Sequence, residues 1–186
     1  MLITHEREKL LNAIIYFAAH TLHCGKTKLF KLLFLLDFEH FRLTGRSVTG
    51  SQYYAWKLGP VPVALDDELD DPPADLCAAV TIEPEQVINH CRFKVVPLRQ
   101  FDASHFSKRE LHLLEELADR YRAHTAQEMV EVTHAENGAW ERVFAGGAGF
   151  NAPIPYEMVV SGEDSAAVLA LAKEYAAIKN RYGADA

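Results

Sequence analysis

Three clusters carry residue types that do chemistry elsewhere, and spacing argues against each. His20-Thr21-Leu22-His23-Cys24 offers two imidazoles and a thiol. On a helix, His20 and His23, or His20 and Cys24, would share a face, but a closed zinc site takes four ligands and no second pair follows. Asp37 and Glu39 lie two apart in an apolar helical stretch. They therefore point in different directions and suit no paired-carboxylate acid–base step. Gly146-Gly147-Ala148-Gly149 is glycine-rich but neither follows a predicted strand nor opens a helix, as a dinucleotide site requires. No Gly-x-Ser-x-Gly elbow and no Walker-type phosphate loop occurs. Cys24 and Cys91 have no evident His-Asp partners. The expectation is a protein without catalytic residues, metal or cofactor, and so not an enzyme.

The elements that would position these residues are mostly helices. Thr4 is placed to cap a first helix running to His23, with Leu10, Leu11, Ile14, Ile15, Phe17, Ala18 and Leu22 at helical spacing. Thr27 is placed to cap a second, Lys28 to Leu43, ended by Gly45. That helix is apolar almost all round, the pattern of a core helix. Tyr53, Tyr54 and Trp56 are strand formers, and Gly59-Pro60-Val61-Pro62 breaks the chain before a short third helix, Val61 to Leu69. Residues 71–76 read as a loop. The apolar runs Ala78–Ile82 and Phe93–Leu98 predict a small hairpin or sheet.

In the second half, Ser107–Glu110 and Thr125–Glu128 are capping boxes. They open helices to Arg122 and Thr133. A helix from Glu136 to Phe144, an extended piece Ile154–Val160 and a last helix, Glu163 to Tyr182, complete the chain, and the final residues 183–186 read as frayed. No long linker or repeat divides the sequence. The fold class expected is mainly α with a minor β component: one helical domain over residues 1–186 with a small β-hairpin or sheet.

Charge narrows the partners. The 186 residues carry 19 basic and 26 acidic side chains, a net −7. Residues 1–57 hold eight basic and four acidic groups, +4, while residues 58–186 hold eleven and twenty-two, −11. Asp66–Asp71 is the densest acidic run. Helices 107–122 and 125–133 have helix-turn-helix spacing, but residues 107–146 carry five basic and eight acidic groups. The second helix offers Gln127, Glu128 and Glu131. This weighs against groove insertion and phosphate binding, without closing off nucleic acid. No apolar run approaches the ~20 residues that cross a bilayer. The N-terminus lacks signal-peptide features, and three widely spaced cysteines form no disulfide framework. A cytoplasmic protein with reduced thiols is expected.

Two features of the first half stand out. Lys26, Lys28 and Lys31 open the second helix, where positive charge opposes the dipole at a cost of roughly a few tenths of a kcal/mol. Asp37 lies inside an apolar helix, and a buried carboxylate needs partners. The expectation is that Lys57, Tyr54 or amides near Gly59 supply them, tying the helix to the Gly-Pro turn.

Lys28-Leu29-Phe30-Lys31-Leu32-Leu33-Phe34-Leu35-Leu36-Asp37, then Gly45, then Tyr54-Ala55-Trp56-Lys57-Leu58-Gly59-Pro60-Val61 resembles the Panacea domain of bacterial and phage-associated antitoxins. Phe34 stands where the family pattern has Tyr, and the Tyr54–Trp56 spacing differs from it. Thr125–Glu128, Thr133-His134 and Ala139-Trp140 resemble the family's later elements, so the likeness runs over about residues 8 to 160. It implies a type II antitoxin that binds and neutralises a protein toxin encoded beside it, in a bacterial or prophage setting. No catalysis or cofactor is implied. Lys28, Lys31, Tyr54, Trp56 and Lys57 are the expected partner-binding surface. Asp37, Gly59, Pro60, Val61, His134 and Trp140 are expected to shape it. Homo-oligomerisation is left open. The alternatives are an adaptor that delivers a client to a cytoplasmic protease, and a DNA-binding regulator.

Overall fold

The helix that is apolar almost all round forms the centre of the molecule. The computed structural model describes residues 4–87, 90–135 and 138–182. It begins with α1 (Glu6–His20) and α2 (Lys26–Thr44). On α2, Leu29, Leu32, Leu33, Phe34, Leu35, Leu36 and Phe38 have no exposed surface. A short antiparallel hairpin follows, β1 (Tyr54–Trp56) and β2 (Gly59–Val61), with Tyr54 opposite Val61 and Trp56 opposite Gly59. Then come α3 (Val63–Asp70), α4 (Ala74–Ala79) and a longer hairpin. Its strands are β3 (Val80–Val87) and β4 (His90–Pro97), in register from Val80 opposite Pro97 to Val87 opposite His90. The rest is α5 (Lys108–Arg120), α6 (Ala126–Ala135), α7 (Ala139–Phe144), 3-10 turns at Ala145–Gly147 and Tyr156–Val159, and α8 (Ser165–Tyr182). The protein is mainly α, with two small two-stranded sheets. α1, α5, α6, α8 and β2 all pack on α2.

Local chemistry explains most boundaries. Ser107 and Glu110 form a full capping box at α5, and Thr125 and Glu128 bond reciprocally ahead of α6. Gly45 ends α2 at φ 70, the left-handed C-cap that glycine favours. Several expected boundaries move. α1 starts after His5 without a side-chain cap, its first turn carrying Glu6 and Glu8, which favour the helix dipole. Gly25 holds the position expected of Thr27. Gly59–Val61 is a strand and not the first turn of a helix, because β1 needs a hydrogen-bonding partner; α3 starts only after Pro62. α4 begins at Ala74, inside the stretch expected to loop, and takes Ala78 and Ala79 from the expected strand run, so that β3 starts at Val80. Ile154–Val160 includes a 3-10 turn where an extended piece was expected. Glu136, the expected start of the helix now α7, and residues 183–186 lie outside the described residues.

Part of the charge split is paired within the fold. Arg7 pairs with Glu68 and Asp75, both at 2.7 Å, and Lys26 pairs with Asp66 at 2.7 Å and Asp70 at 3.1 Å. Basic groups of the first two helices thus hold down α3 and α4, and the acidic run is partly committed to the chain itself. No described helix is long and apolar enough to cross a membrane.

Candidate functional site

Three polar residues on α2 are buried, and each holds a different piece of backbone. Asp37 accepts from the Val48 amide at 2.8 Å, the Thr49 amide at 2.7 Å, the Thr49 hydroxyl, and the Tyr53 hydroxyl at 2.8 Å. Burial pushes its carboxyl up to about 6, against the pull of those Thr49, Tyr53 and Val48 donors. Asp37 therefore clasps the loop leading into β1, not the Gly-Pro turn expected from sequence: the donors nearest its carboxylate belong to residues 48–53. Lys28 donates to the carbonyls of Leu22, Arg122 and His124 at 2.8, 3.0 and 2.7 Å. It pins the turn after α1 to the turn between α5 and α6. Lys31 donates to the Pro60 carbonyl at 2.8 Å, and burial lowers its amine to about 7. The residue that ties α2 to the Gly-Pro turn is Lys31.

This corrects the expected partner surface. Lys28 and Lys31 have 0% and 1% of their surface exposed and cannot form its outer face. Sequence position placed them on the first turns of a helix, but those turns run beneath α5, α6 and the hairpin. Tyr54 is half-buried, and its hydroxyl donates to Gln52 Oε1 at 3.1 Å. Trp56 is half-buried and Lys57 exposed. Among the described residues Lys57 makes no ion pair or side-chain hydrogen bond.

The hairpin carrying Trp56 and Lys57 is fixed from below and from one edge. Gly59 lies at φ +99, and a Cβ there would stand 2.9 Å from Lys31 Cε and 3.1 Å from Thr133 Oγ1. A side chain there would be strained by the positive φ and would crowd Lys31 and Thr133. Trp140, buried on α7, donates its Nε1 to the Trp56 carbonyl at 2.9 Å. His134 stacks on Trp140, ring centroids 3.6 Å apart and planes 3° apart. Burial and nearby Lys31 lower its pKa, which favours the neutral ring. Pro60 and Val61 are buried in β2. Thus Gly59, Pro60, Val61, His134 and Trp140 come together beneath the hairpin, while Asp37 acts on the loop before it.

Residues 150–154 brace the other edge of β1. The Ala55 amide donates to the Ala152 carbonyl at 2.9 Å, and the Asn151 and Ile154 amides donate to the Ala55 and Tyr53 carbonyls, each at 2.8 Å. The glycine-rich run, whose context excluded a dinucleotide site, makes this approach possible. A Cβ on Gly149 would fall 1.8 Å from the Val143 carbonyl oxygen. Trp56 Nε1 donates to Asn151 Oδ1 at 3.0 Å. The Phe150 ring lies 6.4 Å from the Trp56 ring.

The result is a groove of about 460 Å³ between the hairpin and the start of α2, lined by Lys26, Thr27, Phe30, Lys31, Trp56, Lys57, Leu58, Val61, Asp66 and Phe150. Leu58 is 58% exposed and Phe150 61%. Sequence reading missed Leu58, Phe150 and Asn151. Leu58 sat inside the quoted motif, but Phe150 followed a glycine run with nothing to bring it to the hairpin.

His20, His23 and Cys24 do not come together in the fold. α1 ends at His20, so His20 and His23 do not share a helix. Cys24 is fully buried, and burial pushes its thiol up to about 11. Among the described residues no group of three or more His, Cys, Asp or Glu side chains is arranged to hold a metal ion.

The family model described as Antitoxin SocA-like, Panacea domain matches residues 29–141, more than half of the chain. No curated protein and no solved structure matches it. The matched region runs from α2 through the hairpin to Trp140, including the Lys31, Gly59 and His134–Trp140 supports just described, and on that evidence the chain belongs to the SocA-like antitoxin family that carries the Panacea domain.

Proposed function

We propose that the chain is a non-catalytic, cytoplasmic protein-binding module that neutralises a toxin encoded beside it by direct contact. Family membership supports the antitoxin-like role. The observation that carries the binding surface is the groove beside the hairpin. Leu58 and Phe150 leave more than half their surface in water around one concavity, beside an uncommitted Lys57. Covering such side chains with a partner yields about 1–2 kcal/mol each. Aromatic anchors in a pocket with a charged rim are the usual composition of an interface hot spot. Tyr54, Trp56 and Lys57 remain in the surface proposed from sequence, Leu58 and Phe150 join it, and Lys28 and Lys31 become its support.

Co-expression with the adjacent gene product tests this reading. If that product arrests growth, the chain is expected to restore growth and to co-purify with it as a stable complex. Persistent arrest with no complex formed would contradict the proposal.

A further inference from the structure

The charges around the groove are unevenly committed. Its wall is apolar: Phe30, Trp56, Leu58, Val61 and Phe150. Of the charged residues on its rim, Lys26 and Asp66 satisfy each other at 2.7 Å, and Lys26 also holds Asp70. Lys31 is covered and donates to Pro60. The remaining charge is the exposed ammonium of Lys57. Part of the apolar wall is pre-set: the Trp56 ring is held by its bond to Asn151, and its backbone by the bond from Trp140. A wall that need not reorganise loses little entropy when it is covered.

We infer that this groove takes one large apolar side chain of a partner protein together with a neighbouring carboxylate, which meets Lys57. This rests on the antitoxin reading and specifies the chemistry of the toxin segment it would bind. A basic segment would leave Lys57 facing like charge, and like-charge juxtaposition at an interface is costly. An apolar segment without a carboxylate would cover Trp56 and Phe150 but gain nothing from Lys57.

Short fluorescein-labelled peptides with a central Trp flanked by Asp residues, or by Lys residues, serve as probes in fluorescence anisotropy with the full chain. The acidic peptide is expected to bind about tenfold more tightly at low salt, with the gap narrowing as salt is added. Lys57→Glu reverses the preference, and Phe150→Ser weakens the acidic peptide's binding. Equal binding of the two peptides, binding of neither at millimolar concentration, or an unchanged preference in Lys57→Glu would overturn the inference. So would concentration-dependent dimerisation abolished by Leu58→Gln, because it would assign the groove to a second copy of the chain. A toxin-rescue arm separates the two claims. Rescue by wild type and equally by Lys57→Glu and Phe150→Ser would sink the groove and leave the antitoxin reading standing. The peptide preference without rescue from any adjacent product would do the reverse.

Discussion

The basic residues at the start of α2 and the one at the hairpin tip look alike in sequence and differ entirely in the fold. Lys28 is fully covered and bonded to three carbonyls; Lys57 is exposed and bonded to no described side chain. A buried cation must be satisfied locally or shift its ionisation, so Lys28 and Lys31 organise turns. Lys57, exposed beside apolar surface, has no such internal role among the described residues. The α2 polar residues thus hold the turns that shape the hairpin face, and the proposed partner contact falls to the hairpin residues.

Substitutions that remove buried partners should break this contrast most strongly. Asp37→Ala leaves the Val48 and Thr49 amides and the Tyr53 hydroxyl without their acceptor, and the expected cost is about 3–5 kcal/mol in chemical denaturation. Wild-type stability in this variant would refute the clasp. Lys28→Met orphans three carbonyls at once and should cost about 2–4 kcal/mol. Gly59→Ala forces a side chain into a left-handed position against Lys31, and about 1–3 kcal/mol is expected from the shift in thermal midpoint.

Lys31→Met sharpens the comparison through pH. Only the Pro60 carbonyl loses a donor, and the desolvated charge disappears, so stability at pH 7 should stay within about 1 kcal/mol of wild type. In wild type the folded-state amine is lowered to about 7 from 10.5. Above pH 7 the unfolded chain therefore binds more protons than the folded one, and this residue makes stability rise with pH. Melts between about pH 7 and 9 should show that rise in wild type and a flatter profile in Lys31→Met. Identical slopes would contradict the burial argument. The smallest effect belongs to the tip: Leu58→Gln and Lys57→Glu should change stability by no more than about 0.5 kcal/mol.

Much of this architecture was legible because it is local. The all-round apolar pattern of residues 28–43 identified the core helix, and the capping boxes identified the starts of α5 and α6. Lys31, Asp37, Gly59 and Trp140 stood out through the resemblance to the Panacea pattern. Their roles did not, since each depends on contacts distant in sequence. Lys31 meets Pro60, 29 residues on, and Trp140 meets Trp56 across 84. The same limit hid Phe150: nothing near it signals that residues 151–154 run along β1. Whether Asp37 reaches residues 48–53 or residues 54–59 is likewise a choice that spacing alone does not decide.

The central question is whether the hairpin face, and not the α2 lysines, meets the partner. The most direct measurement is growth rescue from the adjacent toxic gene product by wild type and by a Leu58→Glu, Phe150→Glu double variant, with thermal melts of both proteins. The account predicts unchanged melting and lost rescue for the double variant. Full rescue by that folded variant would contradict it.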